Sequence, residues 1–425
     1  MTTIIIGGGL AGLTAGHALA KQGEDVTILE ARQWPGGLIN PATFDGVTVD
    51  AGAEAFAVRG SEPVRELLAE LGMDSHGPAG RSHIWWPEGA FPLADGVLGI
   101  PGSTEDPAWN SLSEEGRARA MEDLSMGPEV GADATTVGEL VVARMGEEAL
   151  ERLVIPLTMG VFRAKPHDMQ LSQMAPLLLP GLATEGSLMA AVAKARSGAP
   201  SIEQPTGGMF RLIQKLAERI EGNGGKIVGN AAVVAVAEED EGYKVWTSNE
   251  ELSADKLVIA CPGDAASQFL SDLGIEAEPA EAPITRLAMV AFRDERIASA
   301  PVGSGLIVGA PDPNIVARAM THYTHKWPWS ANGDLEILRL SYGDAQPTPE
   351  QAVKDASGFL RIELSEESLV GFAPRTYPMA QRLAPEVQQR ILDDVTSHKG
   401  LNVVGAWIDG NGISSIVRGA ARVIA

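Results

Sequence analysis

Residues 4–30 read IIIGGGLAGLTAGHALAKQGEDVTILE. Residues 3–6 have the composition of a short buried strand. Residues 10–22 carry Leu13, His17, Leu19 and Ala20 on one side of a helix, and DVTIL at 25–29 reads as a second strand. The pattern is a βαβ unit. Gly7, Gly9 and Gly12 stand in G-x-G-x-x-G spacing between strand and helix. The first glycine permits the tight turn, the second lets a pyrophosphate approach the backbone, and the third lets helix and strand pack closely. Leu10 and Ala11 open the helix, whose N–H groups and partial positive charge suit a diphosphate. Glu30 ends the second strand, where a carboxylate accepts from ribose hydroxyls. Together these residues predict dinucleotide binding. A glycine turn used only for packing leaves Glu30 and the glycines unexplained. Glu30 does not separate NAD from FAD, because both carry an adenosine ribose.

The rest of the chain bounds what surrounds this turn. With 425 residues, of which 44% are hydrophobic, it is long enough for two or three structural units. A formal net charge of -23 repels phosphate backbones and argues against nucleic-acid binding. An anionic substrate then has to meet a local basic patch. One cysteine, Cys261, excludes an internal disulfide framework and fits a reducing, cytoplasmic setting. No run reaches about 18 uninterrupted apolar residues, so no transmembrane span is expected. Residues 61–200 are mostly helical in pattern. Ser61 is expected to cap a helix carrying Val64, Leu67, Leu68 and Leu71 that Gly72 stops, and Thr136 with Glu139 forms a capping box before LVVARMGEEALERLV. The Pro/Gly clusters near 86–107 and 197–208 read as loops, the second as a domain crossing. A glycine pair, a helix and a strand follow in PTGGMFRLIQKLAERIEGNGGKIV, then strand-like runs AAVVAVAEE, YKVWTS and KLVIACP. Between 264 and 384 lie LAMVAF, GLIVGA and EILRLSYG, read as a sheet with helical additions; LNVVGAWIDGNGISSIVRGAARVIA closes the chain as strand, turn and helix.

The acid of the second strand continues as E-A-R-x-x-x-G-G-L-I, through Glu30, Ala31, Arg32, Gly36, Gly37 and Leu38. This second glycine cradle resembles that of the flavin oxidases related to amine oxidases and desaturases. TGGMFRLIQKLAERI and DKLVIACP resemble their mid-chain glycine pair and the strand that returns to the FAD domain. Gly412 is expected at the start of a helix with Ile413, Ile416, Val417 and Ala420 turned inward, its end directed at a flavin ring. A helix N-terminus there stabilises the negative charge of reduced flavin without a charged side chain. The resemblance adds Gly52, Ala53, Val233, Gly405 and Trp407 to the FAD contacts. A plain C-terminal helix on the core is the bland alternative.

The likeness narrows to the protoporphyrinogen/coproporphyrinogen oxidase family and runs in order through nearly the whole chain. AGAEAFAVRGSEPVRELLAELGM, GAFPLADGVLGIP, TTVGELVVARMGEEALERLVIPLTMGVF with LSQMAP, THKWPW with EILRLSYG, and GAWIDGNGI each resemble a family segment. The resemblance implies an α/β fold in three parts. These are a Rossmann-like FAD-binding domain (1–60, 205–263 and 385–425), a largely helical domain (61–204) and a mixed-sheet substrate domain (264–384). It also implies that a porphyrinogen loses six electrons over three flavin cycles, with oxygen reoxidising the flavin each time and giving peroxide. Flavin carries that chemistry, so no catalytic side chain is expected. Soluble members of that family commonly act on coproporphyrinogen III and membrane-associated ones on protoporphyrinogen IX, so for an acidic chain without a span the resemblance implies coproporphyrinogen III, with protoporphyrinogen IX as the other choice, in haem biosynthesis. Gly160, Val161 and Phe162 match the segment near flavin and substrate, and Arg59, Arg163 and Lys326 are the basic candidates for propionates. Phe162 as ordinary core, and the basic residues as solvated charges, are the bland alternatives. Trp85 and Trp86 are read as pocket lining or a loop anchor, His17 as a packed helix-face residue, and Cys261 as core. His322 and His325 resemble no metal site.

The sequence departs from the family at Gly52-Ala53, at Phe162-Arg163-Ala164-Lys165, at 380–387 and at Gly410-Asn411-Gly412-Ile413-Ser414, and has no basic residue in GVLGI at 96–100. Another FAD oxidase or desaturase of the same superfamily, or a non-catalytic tetrapyrrole binder, are the alternatives.

Overall fold

The computed structural model describes residues 1–424 except 197, 199, 279, 280, 300, 301 and 382. Single residues of the stretches 197–208 and 380–387 therefore lie outside the described residues. The chain divides into two compact units, Met1–Pro78 with Pro200–Thr285 and Arg375–Ala425, and Ala79–Ala199 with Arg286–Pro374.

The first unit is built on the predicted βαβ: β1 (Thr2–Ile6), α1 (Leu10–Lys21) and β2 (Asp25–Leu29). Strands β3 (Lys226–Val228), β4 (Lys256–Ile259) and β5 (Leu401–Val403) complete a parallel sheet in the order β3-β2-β1-β4-β5. Parallel sheets are covered on both faces, which is why consecutive apolar residues occur in these strands, as in Ile4–Ile6 and Leu257–Ile259. Alternation assigns the faces. Ile5, Val26, Ile28 and Val258 belong to one core with Leu13 of α1, Leu216 of α2 (Met209–Gly222) and Val417 of α3 (Ile413–Ala420). Ile4, Ile6, Leu29, Leu257 and Ile259 belong to another, with Val236, Tyr243, Phe269 and Ile391. Strand β4 ends at Ile259 and is followed by Ala260-Cys261, which lie against the glycine turn.

The helix Glu62–Leu71 differs from expectation in its company. Val64, Leu67, Leu68 and Leu71 lie in the α1 core, so residues 61–78 fold with the first unit. Gly72 stops it in the left-handed region, but Ser61 offers no cap through its side chain; its Oγ accepts from Arg65 Nε at 3.0 Å.

The second unit holds two cores. One is helical, around Leu140, Val141, Leu153, Leu178, Leu188 and Trp109. Its capping box forms as predicted: Glu139 N–H donates to Thr136 Oγ1 at 3.2 Å and Thr136 N–H to Glu139 Oε2 at 3.0 Å. The run that follows is not one helix. Val137–Met145 stops at Gly146, φ +88°, and two π-helical turns follow, Leu150–Val154 and Thr158–Phe162, the second ending at Arg163 in the left-handed region (φ +54°).

The other core lies on a seven-stranded mixed sheet. SHIWWPEGAFP, whose later part falls in the loop expected from 86, is a hairpin, Ser82–Trp86 with Gly89–Pro92, added to that sheet beside Gly305–Val308. Trp85 and Trp86 are thus strand residues, 3% and 9% exposed, and Trp85 meets Phe359 edge to face at 5.6 Å. The THKWPW stretch, for which the resemblance to the family implies a strand pair of the substrate domain with EILRLSYG, is helical: the strand is Ala319–His322, and Pro328 has no N–H for a ladder. Among the described residues no helix is long and apolar enough to cross a membrane, and no three His, Cys, Asp or Glu side chains are grouped to hold a metal ion.

Candidate functional site

The glycine turn is built by contacts that no side chain could tolerate. A Cβ on Gly7, where φ is +107°, would lie 2.8 Å from the Ala260 carbonyl oxygen, and one on Gly12 would lie 2.0 Å from that of Gly7. Gly9 is different: a Cβ there meets nothing within 4 Å. That open space lies over the start of α1, which has no side-chain cap and no acidic residue in its first turn. An uncapped helix N-terminus with open space before it fits a diphosphate. Leu10 and Ala11 turn their side chains into the core, each 6% exposed, so they face a ligand with backbone only.

Glu30 is 9% exposed and organises the second cradle. Its Oε2 accepts from Gly8 N–H at 2.8 Å and its Oε1 from Arg32 N–H at 2.9 Å. The Gly36 N–H donates to the Gly8 carbonyl at 2.8 Å, which brings the second glycine pair against the first. A Cβ on Gly37 would stand 3.3 Å from Gly9 Cα. Ala53 N–H donates to Leu38 O at 2.9 Å, and a Cβ on Gly52 would lie 1.9 Å from the same oxygen. Ala31 and Arg32 are exposed. Val233 follows two residues after Ala231, whose N–H donates to Glu30 O at 2.9 Å.

The C-terminal segment joins the same place through Cys261. A Cβ on Gly7 would come 3.1 Å from Cys261 Cα, and one on Gly405 would come 3.9 Å from Cys261 O. Cys261 is buried, and burial pushes its thiol up to about 12. Trp407 is 3% exposed and its Nε1 has no hydrogen-bond partner, an orphaned donor of the kind a bound cofactor satisfies. Gly412 stands at the start of α3, also without a side-chain cap, and Ile413, Ile416, Val417 and Ala420 pack inward as expected. These residues fit a flavin dinucleotide.

Sequence reasoning missed three contributors. Asp50, fully buried, accepts from Met209 N–H and Phe210 N–H, both at 2.8 Å, and so caps α2 across the unit. Tyr377 donates to Ala51 O at 3.3 Å beside Gly52. Asp409 bonds Gly405 N–H at 2.8 Å. An acid closing the strand VTVD just before AG was a signal for the first; the other two carry none in the local sequence.

The substrate candidates are spread over both units. Arg59 is exposed on the first. In the second, Gly160 packs on Ile307, with 3.4 Å from its Cβ position to Ile307 Cγ2, while Val161 and Phe162 are 59% and 45% exposed. Phe162 is therefore not core. The π-helical turn directs it outward, and π turns recur at functional sites. Lys326 has its ammonium 5.4 Å from the Trp327 ring. His17 packs as expected, Nε2 3.0 Å from Glu70 Oε1. His322 is buried, with Nε2 2.7 Å from Glu336 Oε2.

The chain is 29% identical to the coproporphyrinogen III oxidase of Mycobacterium leprae, over 99% of this chain and 96% of that one. It is 25% identical to the coproporphyrinogen III oxidase of Bacillus subtilis, over 80% and 77%. A crystal structure from Exiguobacterium sp. 255-15, named provisionally as a protoporphyrinogen oxidase, superposes with a TM-score of 0.80 at 21% identity, covering 100% of this chain and 97% of that one. A family model described as flavin containing amine oxidoreductase matches residues 10–293, from the first turn of α1 to the sheet of the second unit. With its two glycine cradles, Glu30 and the uncapped start of α3 assembled in one unit, the chain belongs to the flavin-containing amine oxidoreductase family and uses FAD.

Proposed function

We propose that the protein oxidises a porphyrinogen to a porphyrin, with coproporphyrinogen III as substrate and coproporphyrin III as product, in the cytoplasmic branch of haem biosynthesis. The observation that carries this reading is the extent of the likeness: similarity to a coproporphyrinogen III oxidase covers 99% of the chain, both units included, and is not confined to the FAD-binding part. Bound FAD supplies a two-electron acceptor. The chain's own residues bind and orient it. The backbone of Gly7–Gly12, the start of α1 and the Gly36-Gly37 turn would hold the diphosphate, Glu30 would hold the adenosine ribose, and Gly405, Trp407, Gly412 and Ile413 would face the ring. Val161 and Phe162 offer an apolar surface of the kind a macrocycle packs on. Arg163 and Lys326, in the same unit as Val161 and Phe162, are the cations for its propionates. Three turnovers remove six electrons and six protons in all, and three molecules of oxygen, each taking two electrons and two protons, leave as peroxide.

Anaerobic mixing with coproporphyrinogen III tests the reading. Bleaching of the flavin absorbance, followed on admission of oxygen by porphyrin fluorescence, is the expected result. Flavin that stays oxidised in the presence of fresh substrate overturns it, and a faster response to protoporphyrinogen IX reassigns the substrate.

A further inference from the structure

The segment between β5 and α3, residues 405–412, has to place Trp407 and the start of α3, yet it contains only one short helix, Ala406–Asp409. Gly405 and Gly410 bracket that helix with φ of +133° and +100°. Such a turn is held by what its side chains bond to. The Asp409 side chain is 2% exposed. Its Oδ2 accepts from the Gly405 N–H at 2.8 Å, and its Oδ1 accepts from Arg422 Nη1. The other end of the same guanidinium, Nη2, donates to the carbonyl of Val403, the last residue of β5, at 3.0 Å. A third contact comes from α3. A Cβ on Gly419 would stand 2.1 Å from Asp409 Cγ, so the carboxylate lies directly on the bare backbone of the helix's last turn. One buried carboxylate thus ties the start of the turn to the end of α3, and one arginine ties that carboxylate to the sheet.

Burial pushes the Asp409 carboxyl up, against the Gly405 N–H and Arg422, which favour its charged form. A buried carboxylate without its cation is costly, so the arginine is what lets an acid occupy this place. Arg422 lies outside every glycine motif.

We propose that Arg422 is a positioning residue for the flavin: through Asp409 and Val403 it fixes the Gly405–Gly412 turn, and with it Trp407 and the N-terminal end of α3 that face the ring. The inference rests on FAD as cofactor and not on the porphyrinogen reading, and its test uses no substrate. Support at one remove of this kind holds a site to the geometry that affinity and potential report.

The experiment compares Arg422→Met and Arg422→Lys with the unaltered full-length protein. FAD affinity is measured by titrating the apoprotein, the flavin midpoint potential by dye equilibration, and apoprotein unfolding by temperature. Arg422→Met is expected to raise the Kd for FAD about tenfold, the size of a lost charge-assisted bond, and to shift the potential. Arg422→Lys, which keeps a cation for Asp409, is expected to bring both values back toward those of the unaltered protein. Unchanged affinity and potential in folded Arg422→Met overturn the proposal, and so does Arg422→Lys behaving like Arg422→Met. If Arg422→Met does not fold, Asp409→Asn carries the test: weaker FAD binding with a shifted potential supports the role, and unaltered values for both refute it.

Discussion

Gly12 sits so close to Gly7 that a Cβ on it would lie 2.0 Å from the Gly7 carbonyl oxygen. The third glycine of the motif is there for the first: it lets α1 start directly against the turn that leaves β1. Gly12→Ala is therefore expected to displace the turn and empty the cradle. Purified protein should carry less than about a tenth of the flavin of the unaltered chain, read from visible absorbance. Stoichiometric flavin in Gly12→Ala would show that the turn does not hold the diphosphate.

Gly412 offers a sharper test of the ring's orientation. Its φ of -73° suits any residue, and a Cβ meets only Ser415 Oγ, at 3.6 Å. Aspartate is also a good N-cap, so Gly412→Asp should stabilise α3 by a few tenths of a kcal/mol. The added carboxylate should at the same time disfavour reduced flavin. A penalty of about 1 kcal/mol corresponds to a midpoint about 20 mV lower. A potential equal to that of the unaltered protein, in a variant that still binds FAD, would place the start of α3 away from the ring.

Leu216 is fully buried in α2, in the core that α1 and α3 share. Leu216→Ala removes that packing and leaves a cavity, at a cost of about 2–5 kcal/mol. The thermal midpoint should fall by several degrees. A fall of less than a degree would mean that the core closes over the gap.

Glu139 gives a dependence on pH. The Thr135 and Thr136 N–H groups, with the Thr135 hydroxyl, hold its carboxyl down to about 2. A folded-state value below the ordinary 4.5 means that its stabilisation is complete above that value and is lost as pH falls toward about 2. Urea unfolding of Glu139→Gln should therefore differ from that of the unaltered protein at pH 7, and the gap should shrink below pH 4.5 and close only toward about pH 2. A gap that persists at the lower pH would mean that charge is not what the capping box uses.

Burial keeps the Cys261 thiol protonated, up to about 12. The thiolate is the reactive form, so an aromatic disulfide reagent at pH 8 should leave the folded protein unmodified and label one thiol per chain after unfolding in guanidinium. Rapid labelling of folded protein would contradict the packing of β4 against the first glycine turn.

The local chemistry of the cradle was legible in the sequence because backbone does the binding. Gly7, Gly12, Gly36 and Gly37 are required by close approach or positive φ, Gly9 leaves the backbone bare toward open space, and these demands mark a sequence wherever they occur. The same holds for the strands of the parallel sheet, apolar on both faces, and for the Thr136–Glu139 box, whose two partners are three residues apart. What the sequence alone could not decide depends on partners far away along the chain. Asp50 caps a helix that begins 159 residues later, and nothing near either residue announces it. The hairpin at 82–92 became strand because Gly305–Val308 offered it an edge, although its prolines and glycines read locally as a loop. Phe162 has a core residue's composition and an exposed residue's position, because a π-helical turn rotates it outward. Backbone conformation is written in single residues and their near neighbours; side-chain environment is set by whichever segments the fold brings alongside, and only the tertiary structure chooses those.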